Sequence, residues 1–214
     1  MSPQPLILHA HATGPNPIKI AEALEFLGVP YEVKIRGVKG AAFLALNENG
    51  RVPALEDPNT GVVSWESGAC MAYLLRVYDK ENKLGPRGSS EQDKVDFDKW
   101  NMFLLTTLGP MTGQTNWYRH YNPTKNDDAL KRYVEQTERC YSVLEGQLKK
   151  TLAESIIPGG VTAVDLQFEP WVKQHKFAGI SLDPYPNVAK WLSNMAGLPE
   201  VIKAYKRISE APKP

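Results

Sequence analysis

Two short groups of residues early in the chain have the types and spacing to hold a peptide that carries a carboxylate. Arg51-Val52-Pro53-Ala54-Leu55 places an X-Pro step inside apolar sequence. Proline is the residue for which the cis isomer is cheap, and that isomer suits a tight turn ahead of a strand. A cis Val52-Pro53 bond leaves the Val52 N–H and C=O outside the local sheet ladder and open to an extended peptide. Ser64-Trp65-Glu66-Ser67-Gly68 follows, where a strand gives way to a helix read from Ser64 to Tyr78. A serine with small neighbours at a helix N-terminus offers backbone N–H groups and a hydroxyl to a carboxylate. A main-chain site next to a carboxylate site predicts a small acidic peptide as ligand.

The elements that must position these groups alternate in type. Leu6 to Ala10 reads as a buried strand and His11 to Asn16 as a loop punctuated by Gly14 and Pro15. From Pro17, the residues Ile18, Ile20, Ala21, Leu24 and Leu27 recur at helical spacing, with Gly28 as the stop. Tyr31 to Ile35 alternates as a second strand, and a short segment around Phe43 to Leu46 leads to Pro53. Ala54 to Asp57 and Val62 to Ser64 form a hairpin about Pro58-Asn59-Thr60-Gly61. The order βαβ then ββα predicts a small α/β layer with mixed strand directions. A polar stretch from Asp79 to Ser90 separates this from sequence that reads as helix throughout. The spacing predicts a helix from Glu91 to Leu108, a break at Gly109-Pro110, and a continuation to Tyr121. Lys125 to Leu152 is amphipathic, with Leu130, Tyr133, Val134, Thr137, Cys140, Tyr141, Leu144 and Leu148 on one face. Thr162-Ala163-Val164-Asp165 is a capping-box variant, and final helices are expected near Val188 to Ala196 and Glu200 to Ser209.

With 214 residues the chain is long enough for one large domain or two small ones. Its 25 basic and 24 acidic residues nearly balance, which leaves no electrostatic footprint for nucleic acid or an anionic membrane. Cys70 and Cys140 fall in helical patterns far apart, a fit to reduced, buried thiols rather than a disulfide framework. No apolar run reaches the roughly 18 residues of a membrane span. Met1-Ser2-Pro3-Gln4-Pro5 has neither a basic nor an apolar leader region, so the expectation is a soluble cytoplasmic protein. His9, His11, His120 and His175 have no metal-ligand spacing, and no metal is expected.

In this order and spacing, the motifs resemble those of the cytosolic glutathione S-transferases, from Leu6 to about Ile208. Asn47-Glu48-Asn49-Gly50-Arg51-Val52-Pro53-Ala54-Leu55 looks like that family's asparagine-to-cis-proline loop, and Trp65-Glu66-Ser67-Gly68-Ala69 like its γ-glutamyl site. Leu108-Gly109-Pro110-Met111-Thr112-Gly113-Gln114 is similar to a helical segment of the bacterial Nu class and the yeast nitrogen-regulator type. Thr13-Gly14-Pro15-Asn16 resembles the first turn of those types and of fungal secondary-metabolite transferases such as the gliotoxin type. The resemblance implies an α/β plus all-α chain of that fold. A thioredoxin-like domain would span residues 1–80, a linker 81–90, and an all-helical domain 91–214. It also implies glutathione as cosubstrate and a homodimer.

The resemblance implies site residues as well. A free thiol has a pKa of about 8.5, so a donor aimed at sulfur is needed to hold it as thiolate at neutral pH. Asn16 and Thr13 are the candidates, Asn16 ahead of Thr13, and neither is a general base at that pH. Either is equally suited to capping the first helix. Val52, at the Pro53 turn, would pair with the cysteinyl backbone. Glu66 and Ser67 would hold the γ-glutamyl amine and carboxylate. Arg36, Lys39 and Arg51 are candidates for the glycyl carboxylate, Lys39 ahead of Arg51; where several Nu-type relatives carry a His or Gln contact this chain has Arg36-Gly37-Val38-Lys39, which implies a different partner for the glycyl end. The second substrate, expected between the domains, would meet a pool of Phe103, Leu104, Thr107, Met111, Asn116, Trp117 and Tyr118, rich in aromatic and sulfur groups suited to an apolar acceptor. Four readings follow: conjugation to an electrophile in fungal secondary metabolism, glutathione-dependent double-bond isomerisation, Nu-type disulfide reduction, and a non-catalytic regulatory role.

Overall fold

The computed structural model describes residues 4–35 and 37–212. Arg36, one of the glycyl candidates, and Met1 to Pro3 of the leader reading lie outside the described residues. By contact the chain divides into two compact units, residues 1–85 with 196–214, and residues 86–195. The last helix therefore packs with the first unit, although chain order places it in the helical half.

In the first unit, four strands form one sheet among the described residues, in the order β2-β1-β3-β4. β1 (Leu6–Ala10) runs parallel to β2 (Tyr31–Ile35) and antiparallel to β3 (Ala54–Asp57), which pairs with β4 (Val62–Trp65) in a hairpin. This is the expected mixed thioredoxin-like layer. Leu6, Leu8 and Ala10 of β1 are fully buried, as are Ile20, Ala21 and Leu24 of the helix that follows. That helix, α1, spans Pro15–Leu27 and closes on Gly28 at φ 66°, a left-handed cap that glycine adopts without a Cβ penalty. It starts two residues before the sequence expectation. Pro15 and Pro17 sit in the first turn, where a missing N–H costs nothing because no partner exists for it.

A four-residue helix, α2 (Ala41–Leu44), precedes the Pro53 turn, and α3 (Ser67–Tyr78) follows β4. The helix expected from Ser64 begins only at Ser67, because the β3–β4 ladder holds Ser64 and Trp65 in register with Leu55 and Ala54. Asp57, buried at the hairpin, accepts hydrogen bonds from the Tyr73 and Tyr78 hydroxyls at 2.5 Å each and so ties α3 to β3. Burial alone raises the Asp57 carboxyl, but these bonds and those from Asn59 outweigh it and hold it below its usual value.

The last helix, α9 (Pro199–Glu210), returns to α1. Arg207 Nε lies 2.8 Å from Glu25 Oε1, and its guanidinium sits 4.7 Å from the Tyr31 ring centroid. It also donates to the Tyr31 carbonyl at 3.1 Å. Arginine's planar fork suits a site that combines stacking, ion pairing and a backbone bond.

The second unit is helical throughout among its regular elements. α4 (Glu91–Phe103) passes through a π-helical turn, Leu104–Leu108, into α5 (Gly109–Asn116), and a second π-turn, Trp117–Tyr121, ends the run. The break expected at Gly109-Pro110 does not occur. The Gly109 N–H reaches back five residues to the Leu104 carbonyl, so the wider turn absorbs a proline that donates nothing. Glycine suits that close approach, since a Cβ at Gly109 would meet the Leu104 oxygen at 3.0 Å and the Trp171 ring at 3.4 Å, a tight contact.

α6 (Asp127–Lys150) buries Thr137, Cys140, Tyr141, Leu144 and Leu148 of the expected face, with Leu130, Tyr133 and Val134 half-buried. It is followed by α7 (Ala163–Val172) and α8 (Pro186–Ala196). The capping box is present. Asp165 Oδ2 accepts from the Thr162 N–H at 2.9 Å, while its Oδ1 accepts from the Ile156 N–H at 2.8 Å and Trp191 Nε1 at 3.0 Å. Both cysteines are free and buried, and burial pushes the Cys70 thiol up to about 11. Among the described residues no helix is long and apolar enough to cross a membrane, and no group of three or more His, Cys, Asp or Glu is placed to hold a metal.

Candidate functional site

The first unit contains a polar cavity of about 210 Å³ lined by Asn16, Asn47, Asn49, Arg51, Val52, Pro53, Glu66 and Ser67. Three separate segments build it: the first turn of α1, the loop before β3, and the β4–α3 junction. Sequence reasoning pointed to six of these eight residues as site residues. It placed Asn47 and Asn49 only within a loop motif.

The loop is shaped by its own side chains. Asn47, 1% exposed, donates from Nδ2 to the Arg51 carbonyl at 2.6 Å and accepts the Asn49 N–H on Oδ1 at 2.9 Å. Gly50 takes φ 63° to complete the turn, with its N–H on the Asn47 carbonyl. The Val52–Pro53 bond is cis, as expected. β3 begins only at Ala54, so half-buried Val52 lies in the cavity wall, before the ladder. Asn49 Nδ2 reaches Glu66 Oε1 at 3.3 Å and links the loop to the α3 side of the cavity.

Glu66 caps α3 with its backbone at φ 68°, a conformation rare for a residue with a Cβ and concentrated at functional positions. Its side chain makes no capping bond, and Gly14, the N-cap of α1, has no side chain to make one. The first N–H groups of a helix have no partner within it, and at these two ends no side chain of the cap residue supplies one. The cavity thus faces two helix N-termini, both favourable to negative charge. Ser67, 3% exposed, adds a hydroxyl at the mouth of α3.

Asn16 is the second residue of α1 and Thr13 precedes the cap, so the capping role open to both in sequence belongs to Gly14. Asn16 lines the cavity, whereas Thr13 is exposed and does not. Likewise Arg51 lines it and exposed Lys39 does not, the reverse of the sequence ranking.

Lys19 went unnoticed in the sequence. It is 1% exposed, and its Nζ donates to Ser67 Oγ at 3.3 Å. Burial lowers its pKa to about 7, against the opposing pull of Glu66 and Glu22. The signal was a Lys and a Glu one turn apart in Ile18-Lys19-Ile20-Ala21-Glu22-Ala23-Leu24, a helix with apolar residues all round.

In the second unit, Phe103, Thr107 and Met111 are half-buried and recur every four residues along one helical run. Leu104 is fully buried core, and Asn116 is buried with its Nδ2 3.3 Å from Gln174 Oε1. Tyr118 stacks on Tyr133 at 5.5 Å, and exposed Trp117 lies 6.3 Å from Tyr121. The pool therefore separates into core residues and a half-open face, with a π-turn on either side of α5. Such turns concentrate at functional sites.

Two family models match the chain: the glutathione S-transferase N-terminal domain over residues 13–77 and the C-terminal domain over residues 106–199. The glutathione S-transferase-like protein gedE of Aspergillus terreus is 32% identical, over 93% of this chain and 94% of its own. Protein URE2 of Candida glabrata is 27% identical, over 93% of this chain and 67% of its own. Among solved structures, a glutathione transferase homolog from Lodderomyces elongisporus with two GSH per subunit aligns with TM-score 0.88 at 29% identity, covering 95% of this chain and 98% of that one.

Proposed function

The chain belongs to the glutathione S-transferase family, and on that premise we propose that it binds glutathione in the cavity of its first unit and adds the glutathione thiolate to an electrophilic small molecule. The observation that carries this reading is the opening of two helix N-termini, neither closed by its cap residue's side chain, onto one polar cavity. The donor set fits the tripeptide. Ser67 and the first N–H groups of α3 suit the γ-glutamyl carboxylate, and Glu66 the adjacent ammonium. Val52 offers its backbone to the cysteinyl residue. Arg51 suits the glycyl carboxylate, ahead of Lys39.

Asn16, in the first turn of α1, is the donor for sulfur. An amide N–H and a helix N-terminus both favour an anion, so they lower the thiol pKa without removing the proton themselves. Phe103, Thr107 and Met111 are the wall for an apolar acceptor, with exposed Trp117 as an outer contact. The resemblance of the Thr13 to Asn16 turn to fungal secondary-metabolite transferases makes a reactive secondary metabolite the acceptor class of this reading.

A second reading is glutathione-dependent disulfide reduction, favoured by the Lodderomyces relative with two GSH per subunit. It would run through bound glutathione, since both chain cysteines are buried.

The test is calorimetry with glutathione, followed by the thiolate absorbance of the complex. Asn16→Ala is expected to lower thiolate absorbance and turnover by about 10- to 100-fold, the range for one hydrogen bond to a charged group, with glutathione still bound. Turnover of a model disulfide but of no electrophile selects the second reading. Absence of glutathione binding overturns the assignment.

A further inference from the structure

Behind the cavity, α1 carries a lysine in a place where charge is costly. Lys19 is 1% exposed, and its Nζ sits 3.3 Å from the hydroxyl oxygen of Ser67. Lysine is among the residues least often fully buried, and taking an ammonium out of water is unfavourable without compensation. Burial dominates and brings the pKa to about 7, while Glu66 at the α3 cap and Glu22 on the same helix pull the other way. α1 also packs against α9 and β1. The charge α9 directs at α1 is Arg207, paired with Glu25, and the titratable group of β1 is His9, bonded to Glu56. A buried amine near its midpoint at neutral pH responds to any charge that docks beside it.

The hydroxyl fixes the direction of that response. An ammonium has three donors and no acceptor, whereas a hydroxyl has one donor and two acceptor positions. With Lys19 donating, Ser67 accepts, and its own O–H is left to point at a further acceptor. Ser67 lines the cavity. A carboxylate arriving there takes the O–H and brings a negative charge within one residue of the amine.

We propose that Lys19 is a positioning residue that takes up a proton as the γ-glutamyl carboxylate docks on Ser67, so that affinity for glutathione with its thiol blocked falls as the pH rises above neutral. This rests on the reading of Ser67 as the carboxylate donor. The balance is simple: neutral amine, solvent proton and ligand carboxylate combine into an ammonium–hydroxyl–carboxylate chain, and no bond of the ligand breaks. Below pH 7 the amine is already charged and binding takes up nothing. Above it, each binding event draws in up to one proton.

The probe is S-methylglutathione, whose blocked thiol cannot titrate. Calorimetry at pH 8 in two buffers of different ionisation enthalpy is expected to give about 0.9 proton taken up, with the Kd about tenfold weaker at pH 8 than at pH 6. Lys19→Met should bind more weakly at pH 6 and lose this uptake, which separates Lys19 from the ligand's own amine and from His9. Lys19→Arg, charged throughout, should bind with one affinity across the range. Binding of S-methylglutathione by the unaltered protein with no proton uptake overturns this inference and leaves the glutathione site standing. Uptake that persists in Lys19→Met also overturns it. Failure of S-methylglutathione to bind at all overturns the site reading and this inference together.

Discussion

The helices of the two units begin in different ways. In the second unit, α4 is closed by Ser90 and Asp93 in a reciprocal box, α6 by Asn126, and α7 by Thr162 and Asp165. In the first unit, α1 and α3 begin at Gly14 and Glu66 with no side-chain cap, and both beginnings line the same cavity. A capped N-terminus has its N–H groups satisfied by the chain and contributes stability. An uncapped one leaves them open, at a stability cost of about 1 kcal/mol for most cap residues and only a few tenths for a glycine such as Gly14. Three helices of the helical unit are closed by side chains, whereas in the α/β unit two open ends meet at the proposed glutathione cavity.

That contrast can be broken or sharpened by substitution. The largest effect is expected from Asp165→Ala in α7. The carboxylate is fully buried and serves two backbone N–H groups, the Thr162 hydroxyl and the Trp191 indole. Its loss leaves those donors unpaired, a cost of about 3–5 kcal/mol. Chemical denaturation should show it, and near-native stability would mean that this cap is not the anchor of the unit.

Ser67→Ala should act on the other side of the comparison. It is expected to weaken glutathione binding by about 10- to 100-fold with little change in melting temperature. A fall in Tm with affinity intact would make Ser67 a structural residue. Ser90→Ala, at the exposed cap of α4, is the smallest change: about 1 kcal/mol, or about 2–4 °C in Tm for a chain of this size. Glutathione affinity should be unchanged, as measured by calorimetry.

Local chemistry was legible in the sequence, and its failures have local causes. The cis turn at Pro53, the Gly28 stop, the hairpin at Pro58 to Gly61 and the Thr162 box all depend on residues within a few positions of one another. α1 was started late because Pro15 and Gly14 read as loop, although proline fits the first helical position. Gly109-Pro110 was read as a break because proline cannot donate. A π-turn removed the conflict, and nothing in the local pattern announces one. Asn47 was visible only as part of a motif, since its role depends on the amide reaching the Arg51 carbonyl. The sequence ranks Asn16 ahead of Thr13, and only the structure shows that Asn16 lines the cavity while Thr13 does not.

From the sequence alone came the strands and most helices, the acidic-peptide character of the Arg51 to Gly68 stretch, and the family to which it belongs. These follow from steric and hydrogen-bonding preferences that act over a few residues. Tertiary structure alone decided which segments share a cavity, that α9 returns to α1 through Arg207 and Glu25, and that Lys19 is buried under Ser67. Desolvation and long-range pairing are properties of an environment, and the hydroxyl that meets Lys19 comes from Ser67, 48 positions away.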